Sequence, residues 1–569
     1  MMKYPNVWGR GALFTFSGID AECKYSDSMC GKLLSENIGF SFDDGKVKLY
    51  LHLAKETSTL EFKVVASDII EGKLNSDKFG FYFVDMNTVA GYSPKSISVP
   101  CCNADTLERS ISEDCLIFFD GEFYYCFAKI ECDENFYFVL SRNRNRDFSL
   151  KHTLEMLNVD FSELSFSKLA FFDNLPAIKT KDEITERTLA KCFSVLKSQV
   201  YSAEGKFFQR WTTPDKFPHK MLWLWDSIFH SFGNVYIEPR LAYDSIVSVL
   251  DTQNINGCIP HRADPFQFSD ITQPPIIAWG LFKLYEKTGK VEWLIECFDD
   301  LKKYLEWNME KRDSNRNYLY EWVVQTDNPY CRCDECGMDN SPRFDDVKKM
   351  DCIDFSCYMA NEMRYMAKIC EVLNLPEASY YEDLFEKIKN AVNKELYDAE
   401  DGRYYDREVE SGKIKKVSAI SSFLPLFSGI CDRDRADKLV ADLVNPETFG
   451  TEIPIPSVSR DDETFGSDMW RGPVWVNYNF MIYSGLCDYG YSEVAKSIAK
   501  KTVTLITEWY EKDGTVYEFY DSENKKSPAV LYRKGAPVRP FETAIKYETI
   551  RDYGWTASIF VALINELNQ

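Results

Sequence analysis

The sequence is short of positive charge and has no long hydrophobic run. Its 569 residues include 67 Lys and Arg against 89 Asp and Glu, which gives a formal net charge of −22. Such a surface would repel nucleic acid or an acidic membrane, so we expect neither as a partner. No stretch reaches the roughly 18 apolar residues of a membrane-spanning helix. The opening residues, Met1-Met-Lys-Tyr-Pro-Asn6, lack a secretion-signal pattern, and we expect a cytoplasmic protein.

Metal-ligand patterns are also scarce. We interpret the 18 cysteines as reduced thiols, mostly in the core, because a disulfide scaffold is typical of small secreted domains. Only Cys331, Cys333 and Cys336 have ligand-like spacing, and the second cysteine pair of a usual zinc site is missing. We therefore predict no metal and no cofactor. A structural metal at these thiols, with Cys352 or Cys357 as fourth ligand, stays open.

Aromatic residues are abundant. They make up 15% of the chain, with 40 Phe, 33 Tyr and 12 Trp, and this excludes a disordered protein. Such rings fill a large core or line a sugar-binding cleft. The length exceeds what one core usually supports, so two units, or one large ring with an appendage, are expected.

The first third of the chain has the alternation of β-strands. Val47, Leu49, Leu51 and Leu53 share one face at a period of two. Further strands are predicted near residues 79–84, 122–130 and 135–140. We predict a β-sandwich over residues 1–178, which is either a carbohydrate-binding module or a support for a catalytic domain. The second interpretation is favoured, because no catalytic constellation occurs there.

Near residue 180 the hydrophobic period becomes helical. About a dozen helical segments are predicted, near 182–201, 224–234, 239–252, 272–288, 291–311, 352–372, 376–397, 417–428, 432–444, 472–488, 491–511 and 541–567. They would form six hairpins over residues 179–569. Composition alone does not distinguish a closed (α/α)6 toroid from an open α-solenoid. Together with the sandwich, the predicted fold class is α+β and multidomain.

Two acidic residues are the candidate catalytic groups. Asp339 lies in a polar loop between Gly337-Met338 and Ser341-Pro342, on irregular backbone that commonly presents catalytic side chains. Glu518 lies among aromatic residues in Tyr517-Glu-Phe-Tyr-Asp521. Paired carboxyls are what glycoside hydrolysis needs, one as acid and one as base.

Several aromatic and polar motifs surround these acids in the sequence. Trp225-Asp226 would place a flat apolar face beside an ionised acceptor, and this combination suits a sugar ring. The plainer interpretation is a row of aromatic side chains that packs in the core. His261 and Arg262 would present donors for hydroxyls or a carboxylate, although an ion pair within the fold is an equally good interpretation of Arg262. Trp470, Arg471, Trp475 and Asn477 lie in one motif around a tight turn.

The order of these motifs resembles glycoside hydrolase family 63 and the related trehalases. The segments around Asp339, Gln273-Pro-Pro275 and Trp470-Arg-Gly-Pro-Val-Trp-Val-Asn477 carry the resemblance over roughly residues 185–569. It implies an (α/α)6 toroid and an inverting, exo-acting α-glycosidase, with Asp339 as general acid and Glu518 as general base. The candidate substrate-binding residues that go with this resemblance are Trp225, Asp226, His261, Arg262, Gln273, Trp322, Trp470, Arg471, Trp475, Asn477 and Trp555. A departure is Ser522-Glu-Asn524, where the family often continues with Gly-Glu.

The expected substrate is a short α-glucoside or α-mannoside, and neither the sugar nor the oligomeric state is fixed by the sequence. A trehalase, an α-rhamnosidase, a phosphorolytic toroid enzyme and a non-catalytic carbohydrate-binding protein are the alternatives. Inversion predicts carboxyl groups about 6.5–9.5 Å apart. We expect Trp322 and Trp470 to desolvate Asp339, and Arg262 or Arg471 to keep Glu518 ionised.

Overall fold

The structure is a computed structural model that describes residues 3–34, 38–43, 48–54, 60–96, 100–104, 107–112, 114–534 and 548–568. Its first part is built from thirteen strands among these residues. They are β1 (Leu13–Thr15), β2 (Cys30–Leu33), β3 (Ile38–Asp43), β4 (Lys48–Ala54), β5 (Glu61–Val65), β6 (Ile69–Leu74), β7 (Asp77–Asp85), β8 (Thr88–Pro94), β9 (Cys101–Ala104), β10 (Glu108–Ser112), β11 (Cys115–Phe119), β12 (Tyr124–Cys132) and β13 (Asn135–Asn143).

The strands form two antiparallel sheets that pack face to face. One has the order β1-β2-β3-β4-β9 and the other β10-β11-β12-β13-β8-β7-β6-β5. Phenylalanine rings fill the space between the sheets. The ring centroids of Phe14 and Phe83 are 5.0 Å apart, and those of Phe40 and Phe81 are 6.1 Å apart. The N-terminal region is therefore β-rich, as the alternation indicated. Leu51 is buried as expected, whereas Val47 and the side chains of Leu49 and Leu53 lie outside the described residues.

Two helices within residues 1–178 were not predicted. Helix α1 (Arg146–Met156) packs on β12 and β13, and α2 (Phe161–Asp173) packs on β7. Asn145 and Asp160 cap their N-termini through side-chain oxygens. Helix α1 buries only Ser149, Leu150 and Thr153, so its sequence carries little of the helical periodicity that reveals other helices.

A helix lies in each of the twelve predicted segments of the second part, although the one predicted over 417–428 has only five residues, Leu424–Ser428, and follows a 3-10 turn. The helices are α3 (Glu183–Ser198), α4 (Leu224–Ile237), α5 (Pro239–Leu250), α6 (Ile277–Thr288), α7 (Val291–Lys311), α8 (Ile353–Leu373), α9 (Ala378–Glu395), α10 (Leu424–Ser428), α11 (Arg433–Val444), α12 (Val476–Asp488), α13 (Ser492–Asp513) and α14 (Gly554–Leu567). Residues 541–547 of the last predicted segment lie outside the described residues. None of the described helices is long and apolar enough to span a bilayer.

The even-numbered helices from α4 to α14 contact one another in cyclic order. Each packs on the next, and α14 packs again on α4. Helices α3, α5, α7, α9 and α13 lie against the outside of this series. Helix α14 is buried from Gly554 to Ile564, whereas α9 buries only four side chains, as expected for inner and outer helices.

Short elements connect the helices. Two- and three-residue strands occur at Val200–Tyr201, Trp211–Thr212, Leu222–Trp223, Arg262–Ala263, Glu321–Val323, Lys349–Asp351, Tyr397–Asp398, Arg403–Tyr404, Asp406–Glu408 and Ile414–Lys415, and 3-10 turns at Asp334–Cys336, Pro342–Phe344, Ile420–Phe423 and Pro528–Val530. Leu222–Trp223 pairs with Arg262–Ala263 just before α4 begins, which brings two of the sequence motifs side by side.

Candidate active site

A cavity of about 110 Å³ lies at the N-terminal ends of α4, α12 and α14. Backbone N–H groups at such helix ends carry partial positive charge, which favours acidic side chains there. The cavity is lined by His219, Trp223, Trp225, Asp226, His261, Arg262, Gln273, Asp334, Gly337, Asp339, Met469, Trp470, Trp475, Glu518, Arg533, Lys534, Tyr553 and Trp555. Every candidate residue from the sequence lines it except Trp322, Arg471 and Asn477.

Glu518 is buried on one side of the cavity and is bound by Arg533. The Nε of Arg533 donates to Oε2 over 2.6 Å, and its Nη2 donates to Oε1 over 3.1 Å. These charge-assisted bonds stabilise the carboxylate. The donor is therefore neither Arg262 nor Arg471, and that expectation is corrected. Each carboxylate oxygen has a second lone pair, with which it can still accept a hydrogen bond from water.

Arg533 also links Glu518 to a buried histidine. Its Nη2 lies 3.0 Å from Nε2 of His219, and Nδ1 of His219 lies 2.6 Å from Oδ2 of Asp215. Arginine can only donate, so Nε2 must accept and the histidine proton must reside on Nδ1. This fixes His219 as a neutral imidazole between an arginine and an aspartate.

Asp339 lies on the other side of the cavity and is bound by Lys534, the residue that follows Arg533. The Nζ of Lys534 is 2.7 Å from Oδ2 of Asp339. Burial lowers the pKa of Lys534, but the charge on Asp339 outweighs this effect and the pKa lies above its ordinary value. Asp339 is thus paired with an ammonium group, whereas desolvation by Trp322 and Trp470 was expected to keep it protonated.

Backbone contacts fix the loop that carries Asp339. Gly337 has a φ of 73°, and a Cβ there would lie 2.5 Å from Cζ2 of Trp225. Only glycine suits both constraints, so the loop packs directly against this ring. Asn340 then accepts a hydrogen bond from the backbone N–H of Trp470 over 2.9 Å, which ties the Asp339 loop to the Trp470 segment.

Tryptophan rings form the apolar walls. Trp470 and Trp475 stack with centroids 3.7 Å apart and an interplanar angle of 5°. Trp225 meets Trp555 edge to face at 5.6 Å. Flat indole faces next to carboxyls suit a sugar ring, which presents C–H faces and a rim of hydroxyls.

Burial shifts the pKa values of Asp226 and His261 away from their ordinary values. Burial raises the pKa of Asp226 well above its ordinary value, and the charge on Glu518 adds to this, although the Tyr553 hydroxyl donates to Oδ1 over 3.3 Å. Burial therefore works against the ionised form that was expected for this acceptor. Burial, with the charge on Arg262, lowers the pKa of His261 to about 3, so its imidazole is neutral.

Three predicted site residues lie outside the lining of this cavity. Trp322 stacks on Phe355 at 3.8 Å and donates to Asp354, so it does not desolvate Asp339. Arg471 binds the Asp345 carboxylate over 2.7 and 2.8 Å and supports the Asp339 loop from behind. Asn477 is buried in α12, where neither of its amide atoms has a hydrogen-bond partner among the described residues.

Cys331, Cys333 and Cys336, which the sequence left open as metal ligands, do not come together as a set of three among the described residues. The thiol of Cys333 faces the Val323 carbonyl, and that of Cys336 faces the Cys333 carbonyl. Cys331 instead hydrogen-bonds to Asp334, and these two side chains lie near Asp339. The Lys534 ammonium, 3.6 Å from the Cys331 thiol and 2.7 Å from Asp339, already supplies a cation at this point.

Sequence reasoning missed His219, Trp223, Arg533, Lys534 and Tyr553 as lining residues. Trp223 and Tyr553 each lie two residues before a predicted tryptophan, Trp225 and Trp555, which was an available signal. Another was Arg533-Lys534, two consecutive cations that follow Glu518 in an acidic chain.

Comparisons with known proteins identify the family of this chain. Residues 218–556, more than half of the chain, match the mannosylglycerate hydrolase MGH1-like glycoside hydrolase domain. Mannosylglycerate hydrolase MGH1 of Selaginella moellendorffii is 23% identical over 65% of this chain and 91% of its own length. The family 63 mannosylglycerate hydrolase of Thermus thermophilus, solved with Tris, aligns with a TM-score of 0.54 at 22% identity, over 66% of this chain and 99% of that one.

A bacterial glucoamylase solved with acarbose aligns over the whole of this chain and 95% of its own, with a TM-score of 0.60 at 10% identity. This likeness concerns the fold alone, and it includes the β-rich N-terminal region. The profile match carries the assignment: the chain belongs to the MGH1-like family of glycoside hydrolase domains and is a glycoside hydrolase of the family 63, trehalase-like type.

Proposed function

We propose that the protein is an inverting, exo-acting α-glycosidase of short α-mannosides or α-glucosides, built on an (α/α)6 toroid. The cyclic contacts of α4, α6, α8, α10, α12 and α14 support the toroid. The observation that carries the reaction is that Asp339 and Glu518 line one cavity walled by tryptophans. Mannosylglycerate is the first natural substrate to test, because the relatives above are named for it.

Glu518 is the proposed general base. Its carboxylate form is stabilised by two bonds from Arg533, and its free lone pairs can take a proton from water. In an inverting reaction that water attacks the anomeric carbon from the face opposite the leaving group. The buried Asp215–His219–Arg533 chain holds the guanidinium in place for this role.

Asp339 is the proposed general acid, and its contact with Lys534 sets a condition on that role. An ammonium at 2.7 Å favours the carboxylate, whereas an acid must hold a proton. Lys534 must therefore leave Asp339 once substrate is bound. The tryptophan walls would then surround the carboxyl with apolar surface and sugar, an environment that favours the protonated form.

The stereochemistry of the first product tests this proposal. A 4-nitrophenyl α-mannoside and the matching α-glucoside are hydrolysed in an NMR tube, and the anomeric protons are followed from the first turnover. We expect the β-anomer first, with the α-anomer appearing only through mutarotation. An initial α-anomer means retention and would exclude water activation by Glu518. The carboxyl separation of about 6.5–9.5 Å that inversion requires stays a prediction.

A further inference from the structure

A second cavity, of about 390 Å³, is lined by three of the helices that also line the catalytic cavity. Helices α4, α12 and α14 contribute their N-terminal ends to the catalytic cavity, and residues further along, within 231–236, 480–488 and 562–566, to this one. Helix α6 supplies the remaining wall. This far cavity therefore lies toward the opposite end of the same helices. Its volume is in the range of about 300–1,000 Å³ that is typical of small-molecule sites.

The inner part of the far cavity is aromatic. Trp279 and Phe480 are only 1% and 7% exposed, and their ring centroids lie 6.2 Å apart. The ring of Phe232 contacts both, at 4.7 Å from Trp279 and 5.2 Å from Phe480. Tyr236 and Tyr483, which are partly buried, complete the aromatic lining. Such rings pack well against flat C–H faces.

One polar group in this aromatic lining lacks a partner. The indole N–H of Trp279 is buried and has no hydrogen-bond acceptor among the described residues. A buried donor without an acceptor is unfavourable, because it has lost its hydrogen bonds to water. A ligand oxygen in the cavity would supply the acceptor.

The charged lining residues carry both signs. They are Lys283, Glu286, Lys287, Asp488 and Glu566. Lys283 pairs with Glu286 over 2.7 Å, and Asp488 pairs with Arg364 over 2.8 Å. The last turns of α4, α6, α12 and α14 also border the cavity, and the terminal carbonyls of a helix have no partner within it. These groups offer both donors and acceptors, with no strong excess of either charge.

This lining restricts the chemistry of a ligand. An apolar molecule would leave the Trp279 N–H without an acceptor. A strongly charged molecule would meet groups of its own sign. A neutral sugar ring meets neither obstacle, since its C–H faces pack on aromatic rings and each hydroxyl both donates and accepts.

We propose that the far cavity is a non-catalytic binding site for a neutral pyranose sugar, which packs on the aromatic lining and accepts a hydrogen bond from Trp279. The inference goes beyond the proposed function, because neither Asp339 nor Glu518 lines this cavity. It gives the chain one sugar site toward each end of the same helices.

Three native cysteines report separately on sugar binding. Cys487 is exposed and lines the far cavity, Cys331 lies near Asp339 in the catalytic region, and Cys132 is exposed on β12, away from both. The full chain is treated with N-ethylmaleimide, and mass spectrometry of its peptides gives the alkylation rate of each thiol. The probes are D-mannose and D-glucose. D-mannitol, an open-chain polyol without ring faces, is the control.

We expect mannose or glucose to slow the alkylation of Cys487 and to leave Cys132 unchanged. A ligand at twice its Kd occupies two-thirds of its sites, so the rate at Cys487 should then fall about threefold. Mannitol at the same concentration should have no effect. Equal protection of Cys487 by mannitol would show an adventitious additive only and would overturn the inference.

The variant Trp279→Phe keeps an aromatic ring and removes the N–H. It should weaken the protection of Cys487 about threefold or more, which is the contribution of one neutral hydrogen bond. The matched control is Trp293→Phe, in the outer helix α7 and outside both cavities, which should keep wild-type protection. Cys357 is fully buried in α8, and its lack of alkylation shows that a variant is folded. Undiminished protection in folded Trp279→Phe would overturn the site as assigned.

Cys331 separates this inference from the proposed function. If sugar protects Cys331 and leaves Cys487 reactive, the far cavity is not a sugar site and the proposed function stands. If sugar protects Cys487 and leaves Cys331 reactive, the inference is supported and the result counts against the catalytic cavity as the sugar site.

Discussion

Two consecutive residues, Arg533 and Lys534, each bind one of the two candidate catalytic carboxyls. Arg533 is buried and bidentate on Glu518, a geometry suited to a group that is ionised when the reaction begins. Lys534 holds Asp339 through a single flexible ammonium, 26% exposed, which can move away. The difference between a fixed and a movable cation fits the roles proposed for Glu518 as base and Asp339 as acid.

The first prediction concerns Asp339 itself. Asp339→Asn should lower kcat by at least ~10²-fold, because the leaving group then departs without a proton. Its melting temperature should change little, since the side chain is partly exposed. Asp334→Asn is the matched control, a carboxyl on the same loop that also lines the cavity, and its loss should stay under about tenfold. Near wild-type turnover in Asp339→Asn would rule out the acid role.

The second prediction concerns the pH profile. In Lys534→Gln no ammonium stabilises the Asp339 carboxylate, so the acid keeps its proton to higher pH. Since activity falls as the acid loses its proton, the alkaline limb of kcat/KM should move upward in pH. Rates from pH 4 to 9 on a neutral aryl glycoside measure this. An alkaline limb at the wild-type pH would show that Lys534 does not act on the acid.

At the level of elements, one helix of the cyclic series caps the next. Glu362, in the middle of α8, is fully buried and accepts from the backbone N–H groups of Ala278 and Trp279 in the first turn of α6. Helix α6 has no side-chain cap of its own at Ile276. Glu362 therefore joins two neighbouring inner helices and satisfies donors that would otherwise be buried without partners.

The third prediction follows from the charge of that cap. Burial raises the pKa of Glu362 to about 7, against 4.5 for an ordinary glutamate. The folded protein then binds the proton more tightly, so this stability is fully present below pH ~4.5 and is lost as pH rises through ~7, by up to about 3 kcal/mol. In Glu362→Gln the fall in melting temperature between pH 5 and 8 should be smaller. An identical fall in both proteins would show that Glu362 does not titrate in this range.

The sequence predicted elements better than it predicted contacts. All twelve helices of the second part were found because their apolar residues repeat at 3.6, whereas α1, with three buried side chains, has no such stripe. Trp225 and Trp475 were found because they lie in motifs at helix starts. Arg533 and His219 were missed because their roles depend on loops that meet only in the folded chain. Trp322 was wrongly placed by its position in the sequence alone, since it contacts α8 and not the cavity.

At the scale of the whole molecule, buried ion pairs join the β-sandwich to the helices. Lys197 of α3 lies 2.7 Å from Asp68 and 2.9 Å from Asp20, and Lys168 of α2 lies 3.1 Å from the same Asp68. Burial would raise the pKa of Asp68, but the two lysines hold it well below its usual range. The N-terminal β-rich region and the helices thus contribute opposite charges to one buried network, in which each charge is paired.

The fourth prediction is that Asp68→Asn destabilises the protein by about 3 kcal/mol at pH 7, because two buried lysines then share only Asp20. Asp68 contributes stability above its unfolded pKa, so the difference should shrink as pH falls toward 3. Urea unfolding at pH 7 and pH 3 measures both. Asp77→Asn is the matched control, an exposed carboxyl on β7, and should change stability by under about 0.5 kcal/mol. Equal stability of Asp68→Asn and wild type at pH 7 would refute the shared network.

The adjacency of Arg533 and Lys534 also makes the length of the chain before them critical. A deletion of one residue between Asp521 and Leu531 would offer Lys to Glu518 and Gly to Asp339, and an insertion of one residue would offer Tyr to Glu518 and Arg to Asp339. Most surface loops tolerate changes of length, because closing a slightly longer loop costs little. This loop should not tolerate them. A family member with this pair of cations should keep the fourteen residues that separate Glu518 from Arg533.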